Sequence, residues 1–222
     1  MISTRIRALL LLAICFLACS LPALVHADPP EKGLAVRTVA ILIFDGVELL
    51  DYAGPAEVFI VCAQGKAFRV ITVAEKPDLV KTMGNQTLKP DFTCANAPKA
   101  EIVVAPGGNL RSVGPEGRAW LKRAAADAEI VMSVCMGAFL LADAGLLDNV
   151  EATTHRWGLE GLQKAAPKCK VVRGKRFVDS GKIITTGGVT AGIDGALHIV
   201  ERLLGKEASE WTADEWMEHP RK

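Results

Sequence analysis

Short apolar runs alternate with helix-forming segments along most of this chain, and that alternation limits the folds open to it. Residues 39–44 are almost unbroken apolar, as in a strand buried on both faces of a sheet. Residues 68–74, 101–105 and 130–134 indicate further strands. Strands that alternate with helices predict an α/β fold with a mainly parallel sheet and helices on both faces. Ligands bind such sheets beyond the carboxyl ends of the strands, so the segments that follow the strands are the site candidates.

The segments between the strands carry turn signals or helical spacing. Gly84-Asn85 and Asp179-Ser180-Gly181 are turn sequences, so a hairpin is predicted at each. In the last long segment, apolar residues recur at three- and four-residue intervals. The predicted helices cover residues 53–64, 115–127, 138–144, 158–165 and 190–204.

The beginning of the chain has the composition of a secretory signal peptide. Arg5 and Arg7 supply a short positive region, residues 8–24 are almost wholly apolar, and residues 25–27 place small residues at a cleavage site. The sequence therefore predicts export across the inner membrane to the periplasm. A retained anchor is disfavoured because the apolar stretch is short and contains a proline, so no stable membrane span is expected.

Lipoprotein processing at Cys19 is a further alternative for the leader. The length of the rest of the chain suits one domain. The predicted organisation is a signal peptide at residues 1–27, a linker at 28–36, one α/β domain at 37–205 and a C-terminal tail with a short helix at 206–222.

Charge and cysteine content narrow the classes of function. The formal net charge is +1, so there is no basic excess to predict nucleic-acid binding. Four cysteines lie outside the leader, and their spacing matches no zinc pattern; no metal and no cofactor are predicted. With Cys135 free, at most one disulfide can form among Cys62, Cys94 and Cys169, and its pairing stays open.

Cys135 lies where a predicted strand meets a predicted helix. A cysteine at such a turn points its sulfur out of the end of the sheet, as serine does in the nucleophile elbow of hydrolases. The nearby helix start favours the thiolate, which predicts a lowered thiol pKa. The alternative is a buried structural cysteine.

Three other segments supply candidate partners for this thiol. Asp51, after the first strand, could hold or relay a proton beside a thiolate, or it could cap the following helix. Gly107 and Gly108 could offer backbone N–H groups to a developing oxyanion together with Met136, or they could form only a tight turn. His155 could act as a base, although a lone histidine at a strand end is more often structural.

Several ordered motifs resemble those of the ThiJ/PfpI superfamily, within the class I glutamine-amidotransferase-like fold. The resemblance runs from about residue 39 to residue 205 and is greatest to isocyanide hydratases and to the amidase-like sensor domains of AraC-type regulators. The motifs are Asp51-Tyr-Ala-Gly-Pro-Ala-Glu-Val-Phe59, Ala105-Pro-Gly-Gly108, Ser133-Val-Cys-Met-Gly-Ala-Phe139, Gly145-Leu-Leu147, Ala152-Thr-Thr-His155 and Thr186-Gly-Gly-Val-Thr-Ala-Gly-Ile-Asp194.

This resemblance implies a flavodoxin-like three-layer α/β sandwich, a homodimer, a small-molecule substrate or ligand and no cofactor. By position, Cys135 corresponds to the family's nucleophilic cysteine, and Asp51 to the acidic residue that contacts it and handles the proton. The other positions that the resemblance assigns to the pocket are Gly107, Gly108, Met136, His155, Gly187 and Gly188.

Two positions beside the implied site depart from the pattern of the hydratases. Those enzymes usually carry threonine after the cysteine, and its hydroxyl helps to orient the reacting group, whereas this chain has Met136. His155 is followed by Arg156 rather than directly by tryptophan, which adds positive charge near the implied pocket.

Three functions fit an exported protein with a reactive cysteine. The first is a cofactor-independent hydro-lyase that hydrates an isocyanide to an N-formamide. The second is glyoxalase-like hydration of a reactive dicarbonyl such as methylglyoxal. The third is a non-catalytic domain that binds a small molecule or responds to oxidation or stress through its cysteine.

Overall fold

The computed structural model describes residues 35–219, which form a central sheet between two layers of helices. The predicted signal peptide and most of the predicted linker lie outside the described residues. The strands in chain order are β1 (Arg37–Leu42), β2 (Phe68–Ala74), β3 (Val80–Lys81), β4 (Thr87–Leu88), β5 (Phe92–Thr93), β6 (Ile102–Ala105), β7 (Ile130–Ser133), β8 (Glu151–Ala152), β9 (Lys170–Val171), β10 (Phe177–Ser180) and β11 (Ile183–Thr186).

Six α-helices lie between and after the strands of the described region. Short 3₁₀ turns cover Cys62–Gly65, Leu110–Ser112 and Cys135–Gly137, and a π-helical turn covers Thr212–Trp216. The α-helices are α1 (Leu49–Val61), α2 (Pro115–Asp127), α3 (Ala138–Asp143), α4 (Leu159–Ala165), α5 (Ala191–Leu204) and α6 (Lys206–Trp211).

The main sheet has seven strands in the order β10-β11-β7-β6-β1-β2-β5. Every neighbouring pair is parallel except β10 with β11, which form the predicted hairpin. The hairpin predicted around Gly84 is the antiparallel pair β3–β4, and β8 pairs with β9 in a second small sheet. The predicted α/β architecture with a mainly parallel sheet is confirmed.

The two faces of the sheet bury separate apolar clusters. Along β1, Val39 and Ile41 belong to the cluster that contains α1 and α5, whereas Ala40 and Leu42 belong to the cluster that contains α2 and α3. Successive side chains of a strand point to opposite faces, so the near-continuous apolar run of β1 fills both layers. This burial fixes β1, β6 and β7 side by side and brings the loops at their carboxyl ends together.

The start of α1 differs from the prediction. The helix begins at Leu49 rather than residue 53, and Pro55 lies inside it. Asp51 is therefore in the first turn of α1, with its side chain fully buried. This shift changes the interpretation of Asp51, because a residue inside the helix does not cap it.

Two further findings bear on the remaining sequence predictions. The four cysteines of the described region are free and buried, so no disulfide joins Cys62, Cys94 or Cys169 there. None of the helices within residues 35–219 has both the length and the apolar character needed to cross a bilayer.

Candidate functional site

Cys135 occupies the turn between β7 and α3 in a backbone conformation that is uncommon for a residue with a side chain. Its φ is +57°, and the residue is 9% exposed. Two hydrogen bonds hold its peptide groups: the Cys135 N–H donates to Gly187 O at 2.8 Å, and Thr154 Oγ1 donates to Cys135 O at 2.6 Å. Strained conformations of this kind persist only where the surroundings impose them, and they concentrate at functional sites.

Asp51 joins two loops at the carboxyl edge of the sheet. Its Oδ2 accepts the Gly107 N–H at 3.0 Å, and its Oδ1 accepts the Val189 N–H at 3.1 Å. The Cys135 thiol is a further hydrogen-bond donor to this carboxylate. The helix-capping alternative for Asp51 is therefore wrong, since its side chain bonds the loops after β6 and β11 and not the start of α1.

Burial raises the pKa of both acidic groups of the site. Burial raises the pKa of Asp51 to about 6, and it outweighs the hydrogen bonds that the carboxylate accepts. Burial and then the charge of Asp51 raise the pKa of Cys135 to about 12, although the Met136 N–H donates to the sulfur and opposes this rise. At pH 7 the pair therefore carries one negative charge and one shared proton.

The predicted lowering of the Cys135 pKa is wrong for this resting site. The helix that was expected to stabilise the thiolate is only six residues long and begins at Ala138, beyond a 3₁₀ turn. Burial of the sulfur, and then the carboxylate beside it, outweigh that partial charge.

Gly107 fits between the two acidic residues because it has no side chain. A Cβ at this position would lie 2.7 Å from Asp51 Oδ2, 2.9 Å from Cys135 Cβ and 2.8 Å from the Met136 nitrogen. The Gly107 N–H was expected to serve an oxyanion, but it is already donated to Asp51. The Met136 N–H lies at the sulfur, and Gly108 follows Gly107 in the loop with a φ of +127°.

His155, Gly187 and Gly188 line a cavity of about 370 Å³ whose lining does not include Cys135. The His155 ring packs edge-on against Trp157, with ring centroids 4.8 Å apart. Within the described residues no hydrogen bond joins His155 to Cys135, so the structure does not place this histidine as the base of the thiol. Two lining residues connect the cavity to Cys135: the Thr154 hydroxyl donates to Cys135 O, and Gly187 O accepts the Cys135 N–H.

Two residues that hold the site were not singled out from the sequence. Val189 donates its N–H to Asp51 from a backbone with φ +53°, and Thr154 bonds the Cys135 carbonyl. Both lie inside motifs that the sequence identified, but residue type does not show which partner the Val189 N–H or the Thr154 hydroxyl meets in the folded chain. Among residues 35–219, no three histidine, cysteine, aspartate or glutamate side chains are grouped so as to hold a metal ion.

Comparison with known proteins agrees with this fold. The chain matches the model of the DJ-1/PfpI family over residues 37–202, and it belongs to that family. It is 33% identical over 177 residues to the isonitrile hydratase of Pseudomonas putida, a match that covers 78% of this chain and 74% of that protein. The resemblance predicted from the motifs is confirmed.

Transcriptional regulators and solved structures extend the comparison. The chain is 28% identical to the HTH-type transcriptional regulator GbdR of Pseudomonas aeruginosa over 81% of its own length, but the match covers only half of the regulator. A ThiJ/PfpI family protein from Pseudomonas syringae superposes with a TM-score of 0.76 at 26% identity, covering 89% of this chain and 84% of that one. The predicted flavodoxin-like sandwich is confirmed.

Proposed function

We propose that this chain is a cysteine-dependent, cofactor-independent hydro-lyase that adds water to the carbon of an isocyanide and releases an N-substituted formamide. The observation that carries the proposal is the buried pair of Cys135 and Asp51, which shares one proton near neutral pH. A relative named isonitrile hydratase at 33% identity supports the choice of substrate class.

The first half of the reaction joins the thiol to the substrate. The Cys135 sulfur forms a bond to the terminal carbon of the isocyanide, and the shared proton of the pair passes to the same carbon. The product is a thioimidate, in which carbon is bound to sulfur, to hydrogen and, by a double bond, to nitrogen. Asp51 supports this step because its pKa of about 6 allows it to take or give a proton near pH 7.

The second half of the reaction adds water and releases the product. Water attacks the thioimidate carbon, one of its protons passes to the nitrogen, and a tetrahedral adduct bearing a hydroxyl group forms. The carbon–sulfur bond then breaks, the hydroxyl proton returns to the Asp51–Cys135 pair, and the formamide leaves. The Met136 N–H, which lies at the sulfur, is the donor placed to stabilise negative charge there.

Hydration of a panel of alkyl and aryl isocyanides tests this proposal, with formamide quantified by mass spectrometry. We expect turnover by the wild-type protein, a loss of about 10³-fold or more in Cys135→Ser, and a smaller loss in Asp51→Asn. Cys169→Ser is the matched control, since Cys169 is also buried and free but belongs to the core beside α4. Equal formamide formation by wild type and Cys135→Ser would refute the proposal.

A non-catalytic small-molecule-binding domain is the second candidate. It is favoured by the raised pKa of Cys135, which leaves little thiolate at pH 7, and by the similarity to a transcriptional regulator. The same assay separates the two candidates when methylglyoxal is added to the panel: a binding domain turns over neither substrate class, although ligands still raise its Tm.

We further propose that the protein is exported to the periplasm. The proposal rests on the arginines at positions 5 and 7 and the apolar run at residues 8–24. Expression in a bacterial host followed by fractionation and N-terminal sequencing should give a periplasmic chain that begins at Asp28. A cytoplasmic chain that retains residues 1–27 would contradict it.

A further inference from the structure

The cavity beside the Cys135 peptide is lined by hydrogen-bond donors and cations, with no carboxylate among its lining residues. Arg156, Lys175 and Arg176 line it from two segments that are distant in sequence. The first residue of α5, Ala191, also lines it, and the positive end of that helix dipole therefore points toward the space.

Two of the three cations have no carboxylate partner in the described part of the chain. Arg176 is paired, because its Nε donates to Asp194 Oδ2 at 2.7 Å. Within the described residues Arg156 forms no ion pair, and its guanidinium carbon lies 5.5 Å from the centre of the Trp157 ring. Lys175 also forms no ion pair there. The positive charge of the cavity is therefore left unbalanced at Arg156 and Lys175.

His155 adds a ring N–H donor to the same cavity. Its Nδ1 accepts the Trp157 N–H at 3.4 Å, so the neutral ring carries its hydrogen on Nε2. A Cβ on Gly188 would lie 2.1 Å from His155 Cδ2 and 3.1 Å from Nε2, which shows that the ring lies directly against the glycine loop. A side chain at Gly188 would displace the ring from this loop.

We propose that this cavity binds the carboxylate or phosphate group of a small organic anion. Arg156 and Lys175 supply the charge, and the His155 Nε2–H supplies a further hydrogen bond. A volume of about 370 Å³ suits a small metabolite rather than a macromolecule. The site shares a wall with the Cys135 peptide through Thr154, but its binding does not require the thiol.

Titration with inorganic phosphate and with succinate tests the proposal and separates phosphate from carboxylate preference. Both are added to the purified protein at pH 7 and constant ionic strength, and Tm and tryptophan fluorescence are followed. We expect saturable binding by at least one of them, because ligands that bind the folded state raise its Tm. Trp157→Phe should lose the fluorescence response and keep the Tm response, since Trp157 contacts both His155 and Arg156.

Charge variants locate the bound anion. Lys175→Gln should raise the Kd about tenfold, because one charge-assisted contact is lost. Lys122→Gln, the same change on the exposed face of α2, should leave the Kd within about twofold. Cys135→Ser should bind as the wild type does, which keeps this test independent of the proposed catalysis. No saturable response to either anion, or equal weakening by Lys122→Gln and Lys175→Gln, would overturn the proposal.

Discussion

Cys135 and Asp51 are best described as one titrating unit, because neither residue has its ordinary pKa in the presence of the other. The carboxylate raises the thiol pKa, and the thiol hydrogen bond stabilises the carboxylate. A substrate that accepts the shared proton would remove the repulsion that keeps the thiol protonated. Reactivity at this site therefore depends on where the proton moves rather than on a standing thiolate.

Asp51→Asn should lower the pKa of Cys135, because the amide carries no negative charge beside the sulfur. The Cys135 pKa of about 12 should fall by roughly one unit or more, while burial keeps it above that of an exposed thiol. The pH dependence of iodoacetamide labelling at Cys135, followed by peptide mass spectrometry, measures this shift. Asp127→Asn, on the exposed end of α2, is the control and should leave the profile unchanged.

A different labelling result would revise the description of the pair. If the wild-type protein labels with a midpoint below pH 7, the shared proton resides on Asp51 and the sulfur is the anion. If Asp51→Asn raises the midpoint instead, the carboxyl group stabilises the thiolate.

At the level of elements, the sequence located the strands and helices whose boundaries are marked by local chemistry. β2 and α2 have the predicted bounds, residues 68–74 and 115–127. The apolar run of β2 and the proline at the first position of α2 set these limits. α1 begins four residues before its predicted start and contains Pro55, although proline disfavours a helix interior. Packing of α1 against the sheet and α5 overrides that local signal.

The β10 edge of the sheet is held to α5 by a charged cluster. Asp179 Oδ2 lies 2.7 Å from His198 Nε2, and Arg202 Nη1 donates to Asp179 Oδ1 at 3.1 Å and to Gly181 O at 2.7 Å. Burial opposes the charge on Asp179, but the hydrogen bonds from His198 and the Gly181 N–H, together with the charge of Arg202, lower its pKa below 3.8.

Asp179→Asn should therefore destabilise the fold in a pH-dependent way. At pH 7 we expect its free energy of unfolding to be about 1–2 kcal/mol lower than that of the wild type. Because the folded-state pKa of Asp179 lies below the unfolded value of 3.8, this difference is present above pH 3.8 and disappears as the pH falls through the folded-state pKa. Urea denaturation between pH 7 and pH 2.5 measures it.

The surface pair of Lys99 and Asp127 provides the control for that experiment. Its side chains are 86% and 58% exposed, with nitrogen and oxygen 3.3 Å apart. Asp127→Asn should change the free energy of unfolding by no more than about 0.5 kcal/mol at any pH. If Asp179→Asn lowers the free energy of unfolding by the same amount at every pH, packing and not the charge of Asp179 holds β10 to α5.

At the scale of the whole molecule, the site is assembled by long-range backbone contacts that a single sequence does not encode in residue type. Asp51 and the Val189 N–H that it accepts are 138 residues apart. The motifs identified every segment of the site, but not that Asp51 would take the Gly107 N–H or that Cys135 would be stabilised as a thiol. Those outcomes depend on burial and on distances between loops, which only the packed sheet determines.

Assembly into a homodimer is the last prediction, and an apolar edge beside the site supports it. Met83, on the β3–β4 hairpin, is 63% exposed, and its N–H donates to Val47 O at 2.9 Å. That bond brings the hairpin to the loop before α1, and Leu49, the first residue of α1, is 37% exposed. We predict that a second copy of the chain covers these exposed apolar side chains. Light scattering should give twice the mass of one chain, and Met83→Glu should reduce it to that of one chain by placing a charge in the interface.

Val36→Glu, at the amino end of β1 and also exposed, should leave the dimer intact. A wild-type monomer at micromolar concentration would contradict the dimer, and a dimer that survives Met83→Glu would place the interface on another face.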